Sequence, residues 1–246
     1  MDILETAPHI IVTENGAAFA ETAADFLMEQ FRQVSRPLIV LPTGDTPTAV
    51  YDSLVARYGH DREFWSSVGV QALDEYLGLT DGDERLFSGE LRRKFLDRVQ
   101  IPLENRTMFQ SDAPDPARET ARIESLLLAR TIDVAVLGLG GNGHLGFNEP
   151  GSSFNSRTQI IELLEDTRRA NARNCGEKGV PAKAITLGLG NLSEAGRQIL
   201  LVSGGHKAAI LARTLNGPIS TDTPSTIIRT WPNATIIADR AAMRLG

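Results

Sequence analysis

The sequence predicts an α/β fold: a single open, mostly parallel sheet with helices on both faces. Three observations carry this. Short apolar, β-branched runs alternate with segments of helical periodicity, the pattern of βαβ units. The run Ile132–Leu137 is apolar and reads as a buried strand that ends in a glycine-rich loop. No Pro/Gly/Ser linker and no repeat divides the chain. Its 246 residues suffice for a full core, so residues 1–246 read as one domain.

The elements follow in order. His9–Thr13 is a strand. Over Ala17–Val34, residues Phe19, Ala23, Phe26, Leu27, Phe31 and Val34 recur on one helical face. Pro37–Leu41 is the second strand. It runs into Pro42-Thr43-Gly44-Asp45-Thr46-Pro47, where Thr46 is expected to cap a helix to about Tyr58 with Pro47 in its first turn. Val68–Leu73 is the third strand and ends at Asp74-Glu75-Tyr76. Helices are expected over Glu84–Val99 and Asp115–Arg130, and Ile132–Leu137 is the fourth strand. Later strands fall at Gln159–Leu163, Ala184–Leu187, Ile199–Val202 and Thr235–Ala238. A helix carries Arg168, Arg169 and Arg173, another covers Gly205–Leu215, and one more closes the C-terminus.

Composition narrows the function. A formal charge of −6 argues against general nucleic-acid affinity, while leaving room for a local basic pocket. The one cysteine, Cys175, rules out an intrachain disulfide and a cysteine zinc cluster, and suits a reducing compartment. Residues 1–9 do not read as a signal peptide, and no apolar run reaches membrane-spanning length. A cytoplasmic protein is expected, binding neither nucleic acid nor membrane.

Chemistry concentrates in turns after strands. At 42–47, exposed amides and a helix dipole would attract a phosphate, although a plain βα turn has the same form. Asp45 would repel that phosphate unless it points away or pairs with a cation. Asp74 and Glu75 are adjacent on an extended segment and point opposite ways, so one can enter a cleft while the other anchors the loop; a solvated turn is the plainer reading. In the loop 138–151, five glycines stand between Gly138 and Gly146, and His144 lies five positions before Glu149. An imidazole and a carboxylate on bare backbone at a strand's carboxyl end suit acid/base work. The formal G-x-G-x-x-G match at 138–143 does not lead into a helix, which disfavours a dinucleotide site. His144 has no second histidine near in sequence, so no metal is expected. Arg168, Arg169, Arg173 and Lys207 read either as surface charge or as an anion clamp.

Taken together, these motifs resemble the glucosamine-6-phosphate deaminase (isomerase) family, which shares its fold with 6-phosphogluconolactonases. The resemblance runs in order through Leu-Pro-Thr-Gly-x-Thr-Pro at 41–47, Asp-Glu-Tyr-x-Gly-Leu at 74–79 and Gly-x-Asn-Gly-His-x-x-Phe-Asn-Glu-Pro-Gly at 140–151. It continues through Ser-Arg-Thr at 156–158, Asp-Thr-Arg-x-Ala-Asn-x-Arg at 166–173 and Lys-Ala at 207–208. The Phe-Asn-Glu-Pro segment is what separates the deaminase branch from the lactonases. The resemblance implies a Rossmann-like fold and conversion of glucosamine 6-phosphate to fructose 6-phosphate and ammonia, with no metal or organic cofactor. It implies that Asp74 is the proton-transferring base and that His144 opens the sugar ring, oriented by Glu149 and Asn142. Arg173 and Lys207 would clamp the phosphate, helped by Thr43, Gly44, Asp45 and Thr46. Galactosamine 6-phosphate and a phosphogluconolactone are the alternative substrates.

Three departures stand out. Asp45 replaces a usually small residue, so the phosphate grip should differ. The segment 86–90 lacks the family's Ser-Tyr. Gln159 and Ile161 stand where allosteric relatives are basic, and the chain is short at its C-terminus, so a monomer or small homo-oligomer without that activation is expected.

Overall fold

In the computed structural model, residues 7–244 are described. Seven strands form a parallel sheet in the order β1-β10-β9-β6-β2-β3-β5. They are β1 (His9–Thr13), β2 (Leu38–Leu41), β3 (Gly69–Ala72), β5 (Arg106–Thr107), β6 (Val134–Gly138), β9 (Arg197–Val202) and β10 (Ala234–Asp239). The longer helices are α1 (Gly16–Arg32), α2 (Asp45–Tyr58), α3 (Pro116–Ala129), α4 (Glu165–Cys175) and α5 (Ala208–Asn216). The open α/β architecture expected from the sequence is the one observed.

Alternation along the buried strands sends side chains to two cores. Ile39, Leu41, Val70, Val134, Val136, Ile199 and Leu201 pack against α1, α2 and Trp65. Val40, Ala135, Leu137, Leu200, Val202 and Ile236 face Ile123 of α3, Ile210 and Leu211 of α5, and Trp231. The strand order changes direction between β2 and β6, which pair in parallel. That is the topological switch point, and its crevice lies beyond the carboxyl ends of the strands.

Several elements differ from expectation. Asp74-Glu75-Tyr76 is a separate strand, β4, in a second sheet of three antiparallel strands ordered β4-β8-β7, with β7 Gln159–Glu162 and β8 Lys183–Thr186. The apolar run at 184–187 thus belongs to this smaller sheet, since apolarity does not say which sheet a strand joins. The two-residue strand β5 carries no periodic signal of its own. The helix expected from Glu84 starts at Phe87 and passes through a π turn at Arg92–Leu96. In place of a C-terminal helix, residues 240–244 form turns. Asn15 caps α1 by accepting the N–H of Ala17 and Ala18, each at 3.0 Å.

Candidate active site

Four chain segments meet at the carboxyl edge of the sheet around a cleft of about 600 Å³, a size suited to a small metabolite. The turn after β2 supplies Thr43, Gly44, Asp45 and Thr46; the segment after β3 supplies Asp74; the loop after β6 supplies His144; the turn after β9 supplies Lys207. Arg173 comes from α4 on the facing wall.

The turn at 42–47 is held from below, where the buried Tyr51 hydroxyl donates to the Pro42 carbonyl at 2.7 Å. Gly44 takes φ +115°, which a residue with a β-carbon rarely adopts, and it precedes the first residue of α2. Thr46 therefore lies within the first turn and is not the cap. The first N–H groups of a helix lack intrahelical acceptors and face an anion favourably.

Asp74 is buried, and that burial, followed by the nearby Glu75 charge, pushes its carboxyl up to about 8. Glu75 turns the other way. It accepts the N–H of Tyr76 and Phe87 at 2.9 Å and of Ser88 at 2.8 Å, which fixes the segment carrying Phe87 and Glu90 into the cleft wall.

His144 faces the cleft in front of a polar cluster. Its Nδ1 lies 3.4 Å from Glu149 Oε2 and 3.5 Å from Thr167 Oγ1. Asn142 Nδ2 donates to the same Glu149 oxygen at 2.7 Å and to Thr167 Oγ1 at 3.3 Å, while Asn142 Oδ1 accepts the His144 N–H at 3.2 Å. Burial pushes the Glu149 carboxyl up, but the contacts from His144, Thr167 and Asn142 outweigh it and leave it below the usual value. An ionised Glu149 behind the ring fixes its orientation and stabilises the imidazolium. Glu149 and Asn142 do not line the cleft; each contacts His144, which does. Asn148 is structural, donating to the carbonyls of Leu145 and Leu187 at 2.8 Å.

Lys207 Nζ donates to the Leu139 carbonyl at 2.7 Å, and burial alone lowers its pKa. Arg173 pairs with Asp45. Among the described residues, no group of three or more His, Cys, Asp or Glu is placed to hold a metal, and no helix is long and apolar enough to cross a membrane.

Residues 13–237 match the family described as glucosamine-6-phosphate isomerases/6-phosphogluconolactonase. The chain belongs to that family. A glucosamine-6-phosphate deaminase of Oceanobacillus iheyensis is 37% identical over 96% of this chain and 95% of its own length. One from Pseudarthrobacter chlorophenolicus is 37% identical over 95% of this chain and 90% of its own length. A solved monomeric glucosamine-6-phosphate deaminase superposes with TM-score 0.92 at 30% identity, covering 97% of this chain and all (100%) of that one. A 6-phosphogluconolactonase from Trypanosoma cruzi shares the fold alone, at TM-score 0.76 and 18% identity over 99% of this chain and 98% of its own.

Within this family fold, the structure gathers the residues that the resemblance assigned to the site but not Arg168 and Arg169, the other two candidates for an anion clamp: Arg168 donates to the Val180 carbonyl at 3.3 Å, and Arg169 pairs with Glu165 and Asp166. Asp74, His144, Lys207, Arg173 and the 43–46 turn line one cleft, with Asn142 and Glu149 one layer behind. Sequence reasoning passed over Thr167, Phe87, Glu90 and His206. Thr167 lay inside the quoted 166–173 motif and Phe87 and Glu90 inside the departing segment 86–90, so those positions were the available signals; His206 carried none.

Proposed function

We propose that this chain is a glucosamine-6-phosphate deaminase, converting glucosamine 6-phosphate and water to fructose 6-phosphate and ammonia. The observation that carries the reading is that the Asp74 carboxyl and the His144 imidazole face one cleft that also holds a cationic, glycine-turned end. Full-length relatives at 33–37% identity bear that activity in their names.

Opening the sugar ring takes a proton from the anomeric hydroxyl and returns one to the ring oxygen. His144, backed by the Glu149 carboxylate, is the group for both transfers. Asp74 then takes the proton from the amino-bearing carbon and returns it to the anomeric carbon. Its burial makes it a stronger base than a solvated carboxylate. The amino group is left on an sp² carbon as an iminium, which water hydrolyses to the ketone with release of ammonia. Lys207, Arg173 and the amides of the 43–46 turn hold the phosphate and fix the reacting carbons against Asp74.

The monomeric state of the solved deaminase supports a monomer here, and the lone cysteine suits a cytoplasmic enzyme. Ammonia release is to be followed with glucosamine 6-phosphate, galactosamine 6-phosphate and glucosamine in parallel. Turnover of the first above the others supports the reading. Hydrolysis of 6-phosphogluconolactone with no ammonia from any amino sugar overturns it.

A further inference from the structure

Arg173 and Asp45 meet across the mouth of the cleft. Arg173 lies in the last turn of α4, and Asp45 is the first residue of α2, inside the turn that follows β2. The guanidinium Nη2 donates to the carboxylate Oδ2 in a close ion pair. The cation that a substrate phosphate would take is thus already engaged by an anion of the same chain. Lys207 differs, because its partner is the neutral Leu139 carbonyl, which neither cancels its charge nor competes with a phosphate.

We propose that Asp45 is an internal competitor for Arg173, and so sets how much affinity this site gains from a ligand's phosphate. The proposal rests on reading the 43–46 turn, Lys207 and Arg173 as the phosphate-binding end. A ligand that needs the guanidinium binds only the fraction of molecules whose pair is open, and its apparent dissociation constant rises by the inverse of that fraction. The side chains are 72% and 75% exposed, so the pair is of the weak, solvent-screened kind. Closed molecules then outnumber open ones by roughly two to five. A sugar without a phosphate makes no demand on Arg173 and escapes this competition. Asp45 therefore narrows the preference for phosphorylated over unphosphorylated sugar, a setting that the other residues of the turn cannot supply.

Calorimetric titration with inorganic phosphate tests this on four full-length chains: native, Asp45→Asn, Arg173→Gln and the double variant. Asp45→Asn should tighten phosphate binding about three- to sixfold in the native background. It should leave binding nearly unchanged once Arg173 is Gln, because the contested group is gone. Equal tightening in both backgrounds would mean plain charge repulsion and would overturn the competition. So would no tightening in either, or no phosphate binding by any of the four. Tightening confined to the native background, in a chain that releases no ammonia from glucosamine 6-phosphate, would sink the proposed reaction and leave the competition standing.

Discussion

Asp74 and Glu75 are consecutive on one three-residue strand, yet their carboxyls face opposite sides and meet opposite fates. Asp74 looks into the cleft from a buried position, and its carboxyl is pushed up to about 8. A base must be ionised to accept a proton. The rate kcat/KM for glucosamine 6-phosphate should therefore climb about tenfold per pH unit on the acid side and level off near pH 8. Asp74→Asn should abolish ammonia release at every pH. Stability should move the other way. The folded carboxyl titrates above its unfolded value, so its contribution is whole below about pH 4 and is lost as pH rises to about 8. Asp74→Asn should accordingly gain stability over the native chain steadily as pH rises across that window, read by denaturant titration at several pH values.

Glu75 is the counterweight. Its charge helps raise Asp74, and two of its three backbone contacts pin Phe87 and Ser88, the third being to the Tyr76 N–H. Glu75→Gln removes the charge and replaces one acceptor oxygen by a donor. The acid limb of kcat/KM should move to lower pH, and stability should fall by about 1–3 kcal/mol through the Ser88 N–H left facing an amide. The substrate's own ionisations are common to both enzymes, so the displacement of the limb reports on Asp74. An unmoved limb would show that Glu75 serves only to hold the segment.

Much of this arrangement was legible in the sequence, for reasons that differ by element. Leu38–Leu41 and Val134–Gly138 are buried on both faces and so appear as unbroken apolar runs. The loop after β6 announces itself because His144 and Glu149 sit among glycines. The strand Asp74–Tyr76 was hidden because two of its three residues are carboxylates that become buried, against every propensity of a strand. Thr46 was expected to cap α2, but the chain reverses at Gly44 in a conformation only glycine adopts readily, and that moves the helix start two residues earlier than the cap rule places it. Thr167 reaches His144 from 23 residues away, and no local pattern encodes such a meeting. Asp45, by contrast, posed its problem in the sequence, and the ion pair with Arg173 answers it.

Gly140 gives a sharp test of how tightly the imidazole is held. A β-carbon at this position would fall within the van der Waals surface of the His144 ring. The ring cannot retreat freely, since Glu149 Oε2 and Thr167 Oγ1 stand at 3.4 and 3.5 Å behind it. Gly140→Ala should keep the fold, because the clash is with one side chain at the cleft wall. It should cost on the order of a hundredfold in kcat, the effect of displacing a reacting group by about 1 Å. Near-native circular dichroism with this loss in kcat is the expected outcome. Gly141 offers the control, since a β-carbon there meets nothing within 4 Å, and Gly141→Ala should lose far less.

Thr167 places the last weight on the His144–Glu149 pair. Its hydroxyl accepts from Asn142, touches Nδ1 of the ring and helps hold the Glu149 carboxyl below its usual value. Thr167→Val keeps the shape and removes the hydroxyl. With one fewer hydrogen bond the Glu149 carboxylate should become easier to protonate, and the ring should lose a fixed contact. Since Thr167 does not line the cleft, substrate binding should be spared: kcat falls about three- to tenfold, roughly the value of one hydrogen bond, while KM stays within twofold. Thr167→Ser should restore kcat because it returns the oxygen without the methyl. A loss that Ser fails to restore, or one that falls on KM, would show that the methyl packing of Thr167 matters and that its hydroxyl does not.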